Sequence, residues 1–302
     1  MSGYADEADY EMEPVSDAEK LAIASHMLMS SPPGQFWDVL TDVKKLLPEG
    51  FLDDARVAEV AKAYNAQEGA IVEVGDHGAV LALEGAVGGG SNFKDTRTGG
   101  VFVVDHLATQ ISGEAVDEGE ADEELLNPTL EEQRKCLEDE LEAYRASFFS
   151  GAERSAACVY VKDGSLVAYL SAYKYNLRNW WSGNWIGRYT VAVANGSAEV
   201  CGTTGVRGHY FENGNIQLQT SKELAPKTVS FTDSKSLASA ITARIRETES
   251  ALHEGLEDMY DKMGDVTLRS MRRTKPITAD RFTWNVAKIR MRNTLTQTAA
   301  GK

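Results

Sequence analysis

The residue types that most often carry chemistry are scattered along this sequence. The closest two of its five histidines, His77 and His106, are 29 residues apart, too far for the short-spaced pair of a local metal site. The three cysteines, Cys136, Cys158 and Cys201, include no Cys-x-x-Cys pair, and no Gly-x-Ser-x-Gly elbow occurs. We therefore expect no enzymatic activity, no metal and no cofactor. A His, Cys and carboxylate site assembled by the fold from distant residues would revise that expectation.

Two glycine-rich stretches have some likeness to phosphate-binding loops. The triplet at 88–90 is not followed by the Lys-Ser/Thr that completes a P-loop, so we interpret it as a turn. Gly202, Gly205 and Gly208 lie in a strand-rich stretch rather than before a helix. We interpret these three glycines as residues that give a strand of the meander conformational freedom, and not as a nucleotide-binding loop.

Charge is distributed very unevenly along the chain. Residues 267–302 hold nine Lys or Arg and one acidic residue, a local charge of +8. The rest of the chain then holds 22 basic and 45 acidic residues, or −23, which together give the net charge of −15. A basic segment on an acidic body indicates a binding surface rather than a general property of the fold.

Composition places the chain among ordinary globular proteins. Its 302 residues, 42% hydrophobic and 25% charged, suffice for one large domain or two small ones. We expect no transmembrane helix, because no apolar run approaches about 18 residues. The acidic N-terminus is unlike secretory or mitochondrial leaders. The odd number of cysteines favours buried thiols in a reduced, cytoplasmic protein.

The first 70 residues predict three helices. Ser16-Asp-Ala-Glu19 has the pattern of a capping box, and the helix it opens should stop before Pro32-Pro33-Gly34. A second helix should run from near Phe36 to Pro48-Glu49-Gly50. A third is predicted from about residue 52 to residue 64, because apolar residues recur there with a helical period. The short breaks favour an antiparallel bundle or stalk.

From Ala70 onwards the pattern changes to short β-rich runs. IVEVGDHGAVLAL and FKDTRTGGVFVVDHL predict a small antiparallel sheet. Residues 107–133 then hold nine acidic residues and no Lys or Arg. They lack the spacing of an EF-hand, so we interpret them as a solvated loop. A helix should follow from about 130 to 149.

Five strands are predicted in quick succession after that helix: AACVYVKD, LVAYLSAYKY, WIGRYTVAVA, AEVCGTTGVRGHYF and NIQLQT. We expect turns at Asp163-Gly164, Trp181-Ser-Gly183-Asn184, Asn195-Gly-Ser197 and Glu212-Asn-Gly214. Connections this short exclude parallel crossovers and predict an antiparallel meander. Such a meander has two open edges. We expect Trp180, Trp181 and Trp185 to anchor packed elements.

One long helix is predicted from Ser234 to Met263, with an apolar stripe that can lie on a sheet, and Gly264 as its stop. The fold class is therefore α+β. The predicted divisions are an acidic, disordered N-terminus (1–15), a helical stalk (16–66), a small β globule (67–112), an acidic loop (113–129), a helix with the central sheet (130–233), the long helix (234–264) and the basic C-terminal segment (265–302).

Four of these stretches, in this order, resemble the F-actin capping protein alpha subunit family. They are SDAEKLAIASHMLMSSPPGQFWDVLTDVKKLL with its Pro-Pro-Gly break, NWWSGNW, HYFENGNIQL and LRSMRRTKPITADRFTWN. The resemblance covers about residues 16–295, whereas the acidic N-terminus and parts of 80–127 match poorly.

The resemblance implies both a fold and a set of partners. It implies a three-helix stalk, a small β globule, a five-stranded antiparallel sheet covered by a long helix, and a C-terminal amphipathic helix called the tentacle. It also implies an obligate beta subunit of the same fold, whose sheet joins this one across a pseudo-two-fold axis. The pair would bind actin filament barbed ends and sterically block subunit addition and loss. Inhibitory or uncapping regulators and phosphoinositides are further expected partners.

The resemblance and the helical pattern together select candidate actin-binding residues in the C-terminal segment. Arg269 and Arg273 match basic positions of the family's actin-facing surface, and Trp284 matches the tentacle tryptophan. Ala279 stands where vertebrate alpha subunits carry a further basic contact, which Arg281 could partly replace. On a helical wheel, Arg281, Lys288 and Arg292 form a basic stripe beside an apolar strip. The complete candidate set is Arg269, Arg272, Arg273, Lys275, Arg281, Trp284, Lys288, Met291, Arg292 and Leu295.

Other functions are compatible with a basic segment. It could be a solvated basic helix with its apolar side in the core. Nucleic-acid binding is disfavoured, because the acidic body would repel phosphates and no known module occurs. The remaining alternative is a permanent end-cap subunit on an actin-like rod in a dynactin-type assembly.

Overall fold

The computed structural model describes residues 15–87, 91–115, 127–194, 196–212 and 214–263. Among these described residues, those up to Thr248 form one compact unit and those from Glu249 a second. The glycine triplet at 88–90, most of the predicted acidic loop and the basic C-terminal segment lie outside the described residues. Within the described parts, no helix is long and apolar enough to cross a membrane.

The N-terminal part forms the three predicted helices, α1 (Asp17–Met29), α2 (Phe36–Lys45) and α3 (Asp54–Glu68). The capping box is confirmed: the Glu19 amide donates to Ser16 Oγ at 3.3 Å and the Ser16 amide donates to the Glu19 carboxylate at 2.9 Å. α3 runs four residues beyond its predicted end at Tyr64. It stops where Gly69 takes the left-handed conformation, with φ 58°.

The three helices bury one apolar cluster among them. Leu28 of α1, Leu40 of α2 and Ala61 of α3 are each at most 2% exposed. The Tyr64 hydroxyl donates to the Pro32 carbonyl at 3.0 Å. That bond ties α3 to the Pro-Pro-Gly turn, which had been predicted only as a helix break.

The following β-rich part forms two sheets, where the sequence predicted one. The hairpin consists of β1 (Ile71–Val74) and β2 (His77–Val80). The four-stranded antiparallel sheet, in the order of its strands, consists of β3 (Ala86–Val87), β4 (Asn92–Lys94), β5 (Val101–Asp105) and β6 (Gln110–Ala115). Phe93 and Phe102 of the sheet share a buried cluster with Val72 and Ala79 of the hairpin, so the two sheets pack as layers.

The central sheet is the predicted antiparallel meander. Its order follows the chain, with β7 (Arg154–Lys162), β8 (Ser165–Asn176), β9 (Trp181–Ala194), β10 (Ser197–Tyr210) and β11 (Ile216–Ser230). The edge strands are therefore β7 and β11. Asp163 and Gly164 both have positive φ and form the first turn, as their residue types predict.

Two strand boundaries differ from prediction. β9 already begins at Trp181, because the chain turns in a short 3-10 helix at Leu177–Asn179. β11 continues ten residues beyond Thr220, where the predicted strand NIQLQT ends. Pro226 is accommodated because it lies on an edge strand at a bulge, where the pairing of β10 with β11 shifts between Val200 and Gly202.

Two helices cover one face of the central sheet. α4 (Pro128–Phe148) and the first half of α5 (Ser234–Lys262) bury their apolar residues there. Leu137 and Leu141 of α4 and Leu237 and Ile241 of α5 are fully buried, with 0% exposure. The apolar stripe of the predicted long helix is thus confirmed up to Ile245. Of the three cysteines, Cys158 is buried as expected, whereas Cys136 and Cys201 are only half-buried.

The three spaced glycines lie in β10, as predicted. A Cβ atom at Gly202 would lie 2.3 Å from the Arg188 carbonyl oxygen and 2.7 Å from Tyr189 Cα. Neither backbone atom can move without breaking the pairing with β9. Gly202 is therefore required by close strand packing rather than by a ligand.

We expect Gly202→Ala to lower the free energy of unfolding by about 1–3 kcal/mol, because the methyl group overpacks fixed backbone. Urea unfolding measures the change. Gly113→Ala is the matched control, since it lies in β6 and a Cβ there meets nothing within 4 Å. Equal stability of the two variants would contradict the close packing.

Candidate functional site: the edges of the central sheet

The sequence-predicted actin-binding residues, 269 to 295, all lie outside the described residues. The described part offers a different kind of candidate site, a surface for joining another chain. That surface can be located by asking where strand edges and large apolar side chains remain uncovered.

The β7 edge of the central sheet is occupied by side chains of α4. The Val159 amide donates to the Glu138 carboxylate at 3.3 Å, and Arg134 donates to the Val159 carbonyl at 3.4 Å. Arg145 donates to the Ser155 carbonyl at 3.4 Å. Three outward-facing backbone groups of β7, at Ser155 and Val159, are therefore already bonded to α4, and we call β7 the closed edge.

A buried ion pair makes that cover possible. Arg134 and Glu138 are each 5% exposed and lie 2.7 Å apart, with Glu131 2.8 Å from the same guanidinium. Burial opposes the charge of Arg134, but hydrogen bonds to Glu131 and attraction by Glu138 outweigh that cost and raise the pKa of Arg134. The hydrogen bond from Arg134 in turn lowers the pKa of Glu131. α4 therefore presents a permanently charged, fully paired clamp to β7.

The opposite edge of the sheet, β11, is open in the described structure. It pairs with β10 on one side, and no described strand pairs with its other side. Ten of its 15 residues are exposed. The only charged residues of the strand are Lys222, Glu223 and Lys227. The long edge therefore carries few of the charges that oppose pairing with another strand. β11 is thus the candidate site for strand addition.

The second face of the sheet is joined to the helical cluster through Glu68, at the end of α3. Glu68 is 6% exposed and accepts hydrogen bonds from Asn184 Nδ2, at 2.7 Å, and from Arg207. Arg207 also donates to the Ser31 carbonyl at 3.1 Å. Two neighbouring strands, β9 and β10, are therefore held to α3 and to the end of α1 by one carboxylate.

Large apolar side chains are exposed on the helical cluster. Ile23 and Met27, one turn apart on α1, are 52% and 42% exposed, and Trp37 of α2 is 52% exposed. The sequence pattern placed all three residues in helices, but it did not distinguish these exposed side chains from the buried ones. Their exposure marks a further surface that suits contact with another chain.

The aromatic residues of NWWSGNW have different roles. Trp185 packs edge-on against Phe148 and Phe149, with ring centroids 5.9 and 5.8 Å away, so it is an anchor as predicted. Trp180 is not, because it is 48% exposed and contacts only the edge of Phe211 among the described rings. Its left-handed backbone, with φ 63°, ends the 3-10 turn.

Two of the histidines, His77 and His209, serve as structural links between elements. His77 Nε2 lies 3.0 Å from Asp95 Oδ1 and connects the hairpin to the four-stranded sheet. His209 Nδ1 lies 2.6 Å from Gln35 Nε2, which ties the α1–α2 turn to β10. Within the described residues, no three His, Cys, Asp or Glu side chains gather as a metal site requires.

An open strand edge and exposed apolar side chains on the helices together form a surface that suits contact with another protein. Comparison with known protein families identifies the family to which the chain belongs. The model of the F-actin capping protein alpha subunit family matches residues 24–294. The chain belongs to this family, and the resemblance seen in its sequence is confirmed.

Individual relatives agree over nearly the whole length. The chain is 28% identical to the F-actin-capping protein subunit alpha of Dictyostelium discoideum, over 90% of this chain and 96% of that protein. It is 27% identical to the subunit of the same name in Caenorhabditis elegans, over 92% and 97%. A homodimeric actin capping protein alpha subunit from Plasmodium berghei shares the fold, with TM-score 0.70, 22% identity, and coverage of 87% and 99%.

We expect Arg134→Met to lower the free energy of unfolding by about 3–5 kcal/mol, because Glu138 stays buried without its countercharge. Urea unfolding provides the measurement. Lys135→Met is the matched control on the next residue of α4, since Lys135 is 64% exposed and also pairs with Glu131. Arg134→Met combined with Glu138→Met should recover part of the loss. A single Arg134 variant as stable as the Lys135 control would contradict the clamp.

Proposed function

We propose that this chain is the alpha subunit of a heterodimeric actin capping protein that binds filament barbed ends and blocks subunit addition and loss. The observation that carries the proposal is the family match, which runs from residue 24 to residue 294. It spans nine of the ten candidate actin-binding residues and stops one position before Leu295. The family match therefore includes most of the basic segment as well as the folded body.

The partner in this proposal is a beta subunit of the same fold, joined at the open edge of β11. Strand addition would satisfy the unpaired backbone groups of that edge. The helical cluster α1–α3 would form the stalk, and Ile23, Met27 and Trp37 would become covered by the second subunit. The closed edge at β7 supports this choice, because a partner strand could add there only by displacing Arg134 and Glu138.

The filament-binding device is the C-terminal segment. Its charge of +8 over residues 267–302 contrasts with −23 for the rest, so a negatively charged filament end would attract the segment and not the body. Arg269, Arg272, Arg273 and Lys275 form the cluster that steers the approach. The residues from Arg281 to Leu295 form the tentacle helix, with Trp284 as its main apolar contact.

The mechanism needs no covalent step. A rigid heterodimer held by two attachments, the basic surface and the tentacle, occupies the place that the next actin subunit would take. Two linked attachments raise the effective concentration of each, so release is much slower than for either alone. The complex would act in the cytoplasm on the actin cytoskeleton, where phosphoinositides and regulatory proteins can compete for the basic residues.

A permanent end-cap in a dynactin-type rod is the alternative use of the same fold. The relatives described above carry the name of the capping protein, which favours a free capper. Affinity purification separates the two. A free capper brings down chiefly its beta subunit and actin, whereas a rod subunit brings down many further components.

Removal of residues 268–302 should leave a folded heterodimer that caps filaments far more weakly, because both attachments are lost. Elongation from filament seeds, followed by pyrene fluorescence, measures capping. The matched control is removal of residues 296–302, which takes away one basic residue, Lys302, and lies beyond the matched region. Undiminished capping after the longer deletion would refute the proposed device.

Charge reversal at Arg269 and Arg273, each to Glu, should slow association with barbed ends by at least about tenfold at low salt. Added salt should reduce the difference from the unmodified protein, because steering is screened. Lys302→Glu serves as the control at the other end of the segment. An effect confined to dissociation would assign these arginines to holding rather than steering.

A further inference from the structure

We propose that a cleft beside the helical cluster binds a proline-rich segment of another protein in the polyproline II conformation. The cleft lies between α3, β1, the turn that joins β5 to β6, and β8. Its volume of about 460 Å³ is in the range of pockets that bind small ligands, and it can take a short stretch of peptide. The inference goes beyond the proposed function, because it uses neither the basic segment nor β11.

The cleft lies away from the edge that we assign to the beta subunit. The central sheet contributes Arg154 of β7 and Tyr173 and Tyr175 of β8 to its lining. In the strand order, β7 and β8 are at the opposite end from β11. Trp37 also lines the cleft, but its exposed face is assigned above to the beta subunit, so the test variants leave Trp37 unchanged. A bound segment and a beta subunit at β11 are therefore compatible.

Aromatic rings form the floor of the cleft. The ring centroids of Phe36 and Tyr64 are 5.0 Å apart. Tyr173 and Tyr175 stack with their centroids 4.4 Å apart and their planes at 12°. All four rings line the cleft. Grooves lined by aromatic rings are the surfaces that recognise proline-rich segments, because a polyproline II helix is already ordered before it binds.

The protein already holds a proline-rich segment of its own against two of these rings. The Tyr64 hydroxyl donates to the Pro32 carbonyl at 3.0 Å. A Cβ atom at Gly34 would lie 2.8 Å from Cγ of Tyr175, so the backbone of the Pro-Pro-Gly turn rests directly on that ring. The bound segment should repeat this pattern, with a phenol hydroxyl on a prolyl carbonyl beside a ring that packs against backbone.

Two further hydroxyls on the lining rings are available to a ligand. Among the described residues, the hydroxyls of Tyr173 and Tyr175 have no hydrogen-bond partner. Burial raises the pKa of both hydroxyls, so both stay protonated and can donate at neutral pH. A polyproline II segment has no internal hydrogen bonds, and proline has no amide hydrogen, so its backbone offers carbonyl acceptors. The unpaired donors therefore match a ligand that offers acceptors.

The charges around the cleft favour a ligand with an uncharged centre. The Asp, Glu, Lys and Arg residues that line the described cleft are Glu68, Glu73 and Arg154. Glu68 is 6% exposed and pairs with Arg207. Arg154 pairs with Glu73 at 3.1 Å, and both side chains are exposed, so this pair lies at the mouth. A charged ligand would have to displace an existing ion pair, whereas a run of prolines would not.

Saturation-transfer NMR with a decaproline peptide tests the proposal on the full-length chain co-purified with its beta subunit. Millimolar decaproline should receive magnetisation from the protein, and a Gly-Ser peptide of the same length should receive far less. Absence of transfer to decaproline, or equal transfer to the Gly-Ser peptide, would overturn the proposal. Transfer to phenol but not to decaproline would assign the cleft to small aromatic molecules and would also overturn it.

Two variants locate the binding. Tyr173→Phe combined with Tyr175→Phe removes both donors and keeps both rings, so it should weaken decaproline binding at least about fivefold, the effect of one lost hydrogen bond. Ala108→Trp adds a large side chain at an exposed residue that lines the cleft, and it should abolish binding. Tyr210→Phe is the matched control, since Tyr210 is 39% exposed and is not among the lining residues. Unchanged binding in either cleft variant would contradict the assignment.

Urea unfolding separates lost binding from lost folding. Tyr173→Phe combined with Tyr175→Phe should leave the free energy of unfolding unchanged, because neither hydroxyl bonds within the described protein. Tyr64→Phe should lower it, because the Tyr64 hydroxyl holds the Pro32 carbonyl. If the double variant lost as much stability as Tyr64→Phe, its two hydroxyls would belong to the fold and would not be free donors.

Capping has a separate readout. Elongation from filament seeds with the same preparations measures the proposed function, and the cleft variants should leave it unchanged. A heterodimer that caps filaments but does not bind decaproline refutes this inference alone. A heterodimer that binds decaproline but does not cap filaments refutes the capping function alone.

Discussion

Every N–H and C=O group at the edge of a sheet needs a hydrogen-bond partner, and this need organises the molecule. At β7 the partners are Arg134, Glu138 and Arg145 from α4. At β11 the chain supplies none among its described residues. The position of α4 and the buried ion pair within it account for this asymmetry, and the joining edge that we propose follows from it.

The rest of the fold keeps that sheet rigid. It also leaves the proposed filament binding to a different part of the chain. Glu68 holds β9 and β10 to α3, so the helical cluster cannot shift without breaking a buried charge pair. The acidic body then serves as a frame, while the filament-binding role that we propose belongs to the basic segment. A rigid frame is useful for that role, because blocking a filament end requires bulk held in place rather than flexibility.

Local signals explain what could be predicted from sequence. The capping box at Ser16, the Asp163-Gly164 turn and the stripe from Leu237 to Ile245 each lie within a few residues of their partners. The closed edge could not be predicted, since Glu138 and Val159 are 21 residues apart and join only through the fold. Arg207 and Glu68 are 139 apart. The actin-binding residues stay a prediction from the basic segment and the resemblance.

The clamp of α4 on β7 has a consequence for stoichiometry. A sheet with two open edges can add chains at both and grow without limit, as fibrils do. In the part of the chain that the structure describes, this sheet has one open edge, β11, so a chain that pairs there leaves no second open edge for a further chain. In the dimerisation that we propose, assembly would end at two chains, and a long exposed edge strand that could otherwise promote aggregation would lie inside a particle of defined size.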